Sequence, residues 1–189
     1  YSFTYNVDTT DPTWDSAITS SSYASNVYTL TVTGRDETKL ASTPVLSSSN
    51  VTVTVNGSTV NSSYLSFSAG NLSSDQKSRV FTIKISNFTG GNVVVKLRSG
   101  AIKDAEGNSS AQKSYSFTVD ATAPKWSDNI SNGSYNSSGP SYSLRLTGSD
   151  ETGITQTSLT KQNVTVTLNG TATTNFSFAN SGRGTINDK

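Results

Sequence analysis

The chain contains no cysteine, no histidine and no methionine. Without cysteine there is no disulfide, no thiol nucleophile and no thiolate ligand, and without histidine the most common general base and transition-metal ligand are missing. Serine and threonine make up about a third of the residues, so no single hydroxyl group stands out as a nucleophile. Neither a GxSxG nor a P-loop pattern is present. The sequence therefore predicts a protein that is not an enzyme.

Charged residues and long apolar runs are also scarce. Only 14% of the residues are charged, and 14 lysines and arginines against 13 acidic residues give a net charge of +1. This charge provides no basic face for a nucleic acid. No apolar run approaches the length of a membrane span. We therefore expect no nucleic acid among the partners and no membrane insertion of this segment.

The chain does contain an internal repeat. Three motifs occur twice, at offsets of 112, 114 and 113 residues. They are VDTTDPTW (residues 7–14) and VDATAPKW (119–126), TGRDET (33–38) and TGSDET (147–152), and NVTVTVNG (50–57) and NVTVTLNG (163–170). A period of this length fits whole domains better than the short units of a solenoid. The sequence predicts a tandem array in which neighbouring domains of the same protein are partners.

The ends of the chain suggest where the domain boundaries lie. The tetrapeptide YSFT at residues 1–4 returns at residues 115–118, where it closes the first repeat. We therefore expect residues 1–7 to be the last strand of a preceding domain, and residues 8–119 to be one complete domain. Residues 120–189 match the first repeat only as far as about Arg79. They are expected to be the front two-thirds of a second, incomplete domain.

Alternating apolar and polar residues predict strands. In residues 27–33, Tyr28, Leu30 and Val32 alternate with polar residues, which is the period of a half-buried strand. Further strands are expected at residues 14–18, 51–55, 64–67, 81–85, 93–97 and 115–119, and Asn56-Gly57 is a hairpin-turn signal. No segment has a helical period. The sequence thus predicts an all-β fold of tandem immunoglobulin-like β-sandwich domains, each with about seven antiparallel strands.

Several motifs also carry a family resemblance. The linker VD-x-T-x-P-x-W, the loop DET, and the hairpin KDAEGNSS ahead of YSFTVD resemble those of bacterial immunoglobulin-like repeats. Such repeats are strung in large numbers through surface adhesins and other giant secreted proteins. The resemblance covers the first repeat and the front two-thirds of the second. It implies a spacer, adhesive or filament-building role and no catalytic activity.

Acidic residues of the first repeat concentrate in three segments. In an immunoglobulin-like sandwich, the linker before the first strand, the loop between the second and third strands and the last hairpin lie at the same end. Six acidic residues fall in these segments: Asp8, Asp11, Asp36, Glu37, Asp104 and Glu106. Because like charges repel and Ca²⁺ binds carboxylate, amide and carbonyl oxygens, this convergence favours a calcium site.

The expected ligands in the first repeat are Asp8, Asp36, Glu37, Asp104 and Asn108, and those in the second are Asp120, Asp150 and Glu151. A bound ion would stiffen the joint between domains, because a linker carboxylate is among its ligands. In the alternative reading, these are turn residues and solvated acids. No segment has the dense acidic spacing of an EF-hand loop.

Glycosylation sequons are unusually frequent, with about 12 of roughly 17 asparagines in the pattern Asn-x-Ser/Thr. The candidates for N-glycosylation are Asn50, Asn61, Asn71, Asn87, Asn129, Asn136, Asn163 and Asn175. Glycans at these positions would keep an exposed surface soluble. In the alternative reading, Asn-Ser and Asn-Gly pairs reflect ordinary turn chemistry.

Three functional classes are compatible with these features. The leading one is an extracellular structural or stalk array in a cell-surface or filament protein. The second is an adhesin whose loops bind a glycan or a protein receptor on another surface. The third is an accessory domain of a secreted hydrolase. Other copies of the chain in a filament are further expected partners.

Overall fold

The structure is a computed structural model. It describes residues 1–2, 4, 7–43, 45–127, 131–139, 141–152, 154, 161–162 and 164–178. The chain divides into two compact units, Tyr1–Ala121 (unit 1) and Thr122–Lys189 (unit 2). The described residues form antiparallel strands and one short 3-10 turn at Ser62–Tyr64, so the predicted all-β class is confirmed.

Unit 1 has nine strands in its described part. They are β1 (Thr13–Trp14), β2 (Ser20–Ala24), β3 (Val27–Arg35), β4 (Val51–Val55), β5 (Ser58–Thr59), β6 (Leu65–Leu72), β7 (Ser78–Ser86), β8 (Gly91–Leu97) and β9 (Lys113–Val119). One antiparallel sheet has the order β1-β3-β7-β6, with β2 also paired to β3. The other four strands form a second antiparallel sheet in the order β5-β4-β8-β9.

One hydrophobic core is shared by the two sheets. Leu30 of β3, Ile83 of β7 and Val95 of β8 are all 0% exposed and belong to the same buried cluster. The rings of Tyr28 and Phe117, one from each sheet, lie 5.7 Å apart. Complete burial of a large aliphatic side chain contributes about 1.5–3 kcal/mol. Unit 1 is therefore held together as a β-sandwich-like pair of sheets.

Unit 1 contains two tight hairpin turns, one with the Asn-Gly sequence typical of such turns and one without it. Asn56 and Gly57 both have positive φ, and they join β4 to β5 as the predicted two-residue hairpin turn. Ser25 and Asn26 also both have positive φ, and they join β2 to β3. The second turn has no glycine, so its hairpin was not predicted.

The N-terminal strand differs most from the prediction. A single strand was expected at residues 14–18, but β1 ends at Trp14 and β2 begins at Ser20. Both strands pair with β3, and Thr19 N–H donates to the Thr31 carbonyl between them. The residues of β2 lack an apolar alternation because none of them is buried. Pairing with β3, rather than burial, makes this segment a strand.

The chain enters and leaves unit 1 at opposite ends. Asp8 contacts Thr38 in the loop that follows β3. It also contacts Asn108 in the segment between β8 and β9 (residues 98–112), which we call the hairpin arm. β9 runs away from that arm and ends at Val119, opposite Gly91. Residues 120–121 therefore leave the sandwich at the end opposite to Asp8.

Unit 2 repeats local features of unit 1. Trp14 pairs with Gly34 in unit 1, and Trp126 pairs with Gly148 in unit 2. A Cβ on Gly34 would lie 2.6 Å from Cδ1 of Ile102, so a larger residue there would require the Ile102 side chain to shift. The turn at Asn169 in unit 2 has the same positive φ as the one at Asn56.

The strands described in unit 2 are short. They are β10 (Lys125–Trp126), β11 (Ser131–Asn136), β12 (Ser141–Arg145), β13 (Gly148–Ser149), β14 (Val166–Leu168) and β15 (Thr171–Thr173), and they form three two-stranded sheets. Leu144, which corresponds to Leu30, is 51% exposed, whereas Leu30 is 0% exposed. The described part of unit 2 therefore leaves this position uncovered.

Other predicted features stay predictions. Residues 1, 2, 4 and 7 are not in a strand, and their assignment to a preceding domain is untested. Among the described residues, no helix has the length and apolar character needed to cross a membrane.

Candidate functional site

The three segments expected to converge do meet at one end of unit 1. We call this end the acidic pole, and it comprises residues 8–11, 36–40 and 103–109. The Lys39 carbonyl accepts from the Ala105 N–H at 2.9 Å, and the Lys103 carbonyl accepts from the Ala41 N–H at 3.0 Å. The linker joins them through Asp8, whose carbonyl accepts from Nδ2 of Asn108 at 3.1 Å.

Asp104 organises the hairpin arm. Its Oδ1 accepts from the N–H groups of Gly107 (2.6 Å) and Asn108 (2.7 Å), and its Oδ2 accepts from Nδ2 of Asn108 (2.6 Å). The turn requires the positive φ of 102° at Gly107, which glycine adopts without strain. Asp104 is only 2% exposed, so these three donors replace the water that the carboxylate loses on burial.

The amide of Asn108 connects the hairpin to the linker. Its Nδ2 donates to Oδ2 of Asp104 and to the carbonyl of Asp8, which lies 100 residues earlier in the chain. An amide nitrogen has two hydrogens, and each one has an oxygen acceptor here. This side chain therefore bridges two oxygens without the help of a cation.

The loop after β3 is ordered by Asp36. Its Oδ1 accepts from the N–H groups of Thr38 and Lys39 at 2.9 and 2.8 Å. Asp36 is 7% exposed, and its Oδ2 is buried without a hydrogen-bond partner among the described residues. The neighbouring Glu37 is exposed, and its carboxylate accepts from the Thr10 hydroxyl at 2.6 Å. Asp36 thus orders the loop after β3, and Glu37 connects this loop to Thr10 of the linker.

The Thr38 hydroxyl lies between two carboxylates. Its oxygen is within hydrogen-bond distance of Oδ2 of Asp8 and of Oδ1 of Asp36. A hydroxyl has one hydrogen, so it can donate to only one of them at a time. Hydrogen bonds from the Thr38 hydroxyl and then from the Thr10 N–H hold the pKa of Asp8 below its usual value. The folded chain therefore keeps Asp8 charged at lower pH than the unfolded chain does.

The oxygens that could share a cation come from three residues. Asp8, Asp104 and Glu106 each offer a carboxylate oxygen, and these atoms lie within 4.8 Å of one another. No lysine or arginine in the described part of the chain forms an ion pair with them. Such a set of oxygens is suited to a hard cation such as Ca²⁺.

This set differs from the predicted one. Asp8 and Asp104 are in it, and Asn108 contacts both residues. Asp36 and Glu37 are not in this group of three carboxylates. Oδ1 of Asp36 accepts hydrogen bonds within its own loop, and the Glu37 carboxylate accepts one from Thr10. The sequence places Glu106 at this end of the domain, in the KDAEGN hairpin, but Glu106 was not included among the predicted ligands.

The residues predicted as ligands in the second repeat do not all belong to one unit. Asp120 belongs to unit 1, whereas Asp150 and Glu151 belong to unit 2. Oδ1 of Asp150 accepts from the N–H and the hydroxyl of Thr152, both at 3.0 Å, as Oδ1 of Asp36 does from Thr38. The loop geometry is thus repeated, and a metal site there stays a prediction.

Asp75 lies in the turn between β6 and β7. This turn hydrogen-bonds to the loop after β3, through Asp36 N–H to the Lys77 carbonyl and Leu40 N–H to the Gln76 carbonyl. The carboxylate of Asp75 accepts from Ser73 and Lys77 within its own turn. Asp75 therefore lies at the same end of unit 1 but outside the group of three carboxylates.

Most of the sequon asparagines are on the surface. Those in exposed positions are Asn61, Asn71, Asn87, Asn136 and Asn175. Asn50 is half-buried, and its Oδ1 accepts from the Ser47 N–H at 2.8 Å. Asn129 and Asn163 lie outside the described residues. Glycosylation stays a prediction at all of these positions.

The comparisons with known proteins give no match. The chain is similar to no protein-family model, no curated protein and no solved structure. The resemblance to bacterial immunoglobulin-like repeats therefore depends on the sequence motifs alone.

Asp104→Asn tests the hydrogen-bonded hairpin. In EDTA, we expect the free energy of unfolding to fall by about 1–3 kcal/mol, because an amide nitrogen facing N–H donors leaves a buried donor unsatisfied. Urea denaturation measures this change. Asp75→Asn is the matched control, since it alters an exposed acid at the same end of unit 1, and it should change the free energy by less than about 0.5 kcal/mol. Equal effects of the two substitutions would contradict this role for Asp104.

Proposed function

We propose that this chain is part of a non-enzymatic, extracellular structural array of immunoglobulin-like repeats, which acts as a stalk in a cell-surface or filament protein. The observation that carries the proposal is the path of the chain through unit 1. The linker is attached at the acidic pole through Asp8, and β9 ends at the opposite pole. Entry at one pole and exit at the other allow such a module to be inserted in series into a longer chain, as a stalk requires.

The recurrence of local structural features next to the linker motif supports the proposal. The Trp–Gly strand pair and the Asp–Thr loop occur in both units, and both follow a VD-x-T-x-P-x-W linker. A nine-residue strand such as β3 spans about 30 Å, so each repeat adds a length of that order to the array. The chain is rich in serine and threonine and only 14% of its residues are charged, which suits a spacer that need not bind a charged partner.

Surface labelling of the source organism tests this function. Antibodies against residues 8–121 should label intact, unpermeabilised cells, and immunoelectron microscopy should place the label on projections outside the envelope. An antibody to a cytoplasmic protein serves as the control for cell integrity. Label that requires permeabilisation would contradict the proposal. Label found mainly in the medium, together with a hydrolase on the same polypeptide, would favour the accessory-domain alternative.

A bound calcium ion at the acidic pole is the second part of the proposal. The carboxylates of Asp8, Asp104 and Glu106 converge within 4.8 Å, and a cation among them would neutralise their repulsion. Asp8 belongs to the linker, whereas Asp104 and Glu106 belong to the hairpin. An ion bound to all three would therefore stiffen the joint at which the chain enters unit 1.

Thermal denaturation with Ca²⁺ and with EDTA tests this site. A ligand at 100 times its dissociation constant stabilises by about 2.7 kcal/mol, which corresponds to about 10 °C in the melting temperature of a domain of this size. Glu106→Gln should remove most of this increase. In EDTA it should leave the melting temperature unchanged or raise it slightly, because the described contacts include no hydrogen bond to the Glu106 carboxylate and the substitution relieves its repulsion with Asp8 and Asp104. Asp75→Asn should keep the full increase. The same melting curve for the unaltered protein in Ca²⁺ and in EDTA would exclude a calcium site.

A further inference from the structure

The N-terminal strands of unit 1 follow one neighbour over its whole length. β1 pairs Thr13 with Arg35 at the acidic pole, and β2 pairs Ala24 with Val27 at the other end. Tension on the linker pulls these strands along their own axis. The hydrogen bonds to β3 are then strained together instead of opening one at a time, as they would if the strands were peeled apart.

The C-terminal strand has the same relation to its neighbour. β9 pairs with β8 in seven consecutive positions, from Lys113 opposite Leu97 to Val119 opposite Gly91. The chain continues from Val119 at the end opposite to the linker. Tension on the C-terminal side therefore also acts along the strand, in the direction opposite to the pull on β1 and β2.

These two strand pairs belong to different sheets, so tension must cross from one sheet to the other. Two hydrogen bonds make that connection directly. Nδ2 of Asn108 donates to the carbonyl of Asp8 at 3.1 Å, and the hydroxyl of Tyr115 donates to the carbonyl of Asp15 at 3.0 Å. Each bond joins the β8–β9 side of the sandwich to the N-terminal segment.

The Tyr115 bond is well protected. The side chain is 5% exposed, and its ring belongs to the core cluster. Burial, and then the charge of Asp15, raises the pKa of the Tyr115 hydroxyl to about 12. The hydroxyl therefore keeps its proton and remains a donor over the whole neutral range.

We propose that unit 1 is a mechanical element that resists tension between its ends by shear of its two terminal strands, and that Tyr115 and Asn108 transmit this tension between the sheets. The inference uses the proposed stalk role only to say where tension enters. Resistance to force is a property of the strand register, so it can be measured whether or not the protein is at a cell surface.

Single-molecule pulling on the full chain tests the proposal. The chain has no cysteine, so Val7→Cys and Ala123→Cys provide two unique attachment points on either side of unit 1. Forced unfolding is governed by the unfolding rate. Tyr115→Phe removes one hydroxyl and keeps the ring, and it should raise the unfolding rate at constant force by about fivefold, the factor expected for one net hydrogen bond.

Tyr23→Phe is the matched control. Its hydroxyl lies 3.1 Å from Oδ1 of Asn26 and 3.3 Å from the carbonyl oxygen of Phe88, at the end of β2 farthest from the linker, and it donates to one of them at a time. It connects no part of the N-terminal segment to β9. It should therefore change the unfolding rate at constant force by less than about twofold, because its hydrogen bond is not on the path by which tension crosses between the N-terminal segment and β9.

A second pulling direction separates a mechanical role from general stability. Ser22 of β2 and Ser66 of β6 lie in one cross-strand row, through Thr29 and Lys84. Cysteines at these two serines apply force across the strands of one sheet. Unfolding should then occur at lower force, and Tyr115→Phe should leave its rate unchanged. The proposal is overturned if Tyr115→Phe accelerates unfolding equally in both directions, or no more than Tyr23→Phe does along the strands.

Discussion

The burial of alternate side chains between two sheets is the constraint on which the rest of unit 1 depends. Leu30, Ile83 and Val95 are fully buried, and a shift of one residue in any of their strands would turn these side chains to the outer face. Burial therefore fixes the register of β3 with β7 and of β8 with β9. A fixed register also determines which loops lie at each end of the sandwich, and so brings the linker, the loop after β3 and the hairpin arm together.

At the acidic pole, hydrogen bonds hold together the segments that the strand register brings to this end. Asp104 closes the hairpin turn, and the amide of Asn108 then reaches the carbonyl of Asp8 in the linker. The same amide satisfies Asp104, so the folding of the hairpin and the attachment of the linker share one side chain. Three carboxylates remain close together at this pole. The acidic pole thus fixes the linker, and it is also the place where we propose that a cation binds.

Much of this arrangement could be predicted from the sequence, and the rest depended on contacts that leave no local pattern. The alternation in β3 and the Asn56-Gly57 turn were readable because burial and positive φ restrict residue choice. β2 was missed because none of its residues is buried and its turn lacks glycine. Strand order placed Asp8, Asp104 and Glu106 at one pole. It did not indicate how close the individual carboxylates would lie, so Glu106 was left out of the predicted ligands although its carboxylate lies near those of Asp8 and Asp104. The ligand roles of Asp36 and Glu37 stay a prediction.

The central claim is that the linker is fixed to unit 1 and forms a defined joint with it. The backbone order parameters of residues 8–11, from ¹⁵N relaxation of the full chain, test this most directly. Values near about 0.85, like those of the neighbouring strands, are expected, with a fall when Asn108→Ala removes the bond to the Asp8 carbonyl. Values below about 0.6 in the unaltered protein would mean that the linker moves freely, and would contradict the account.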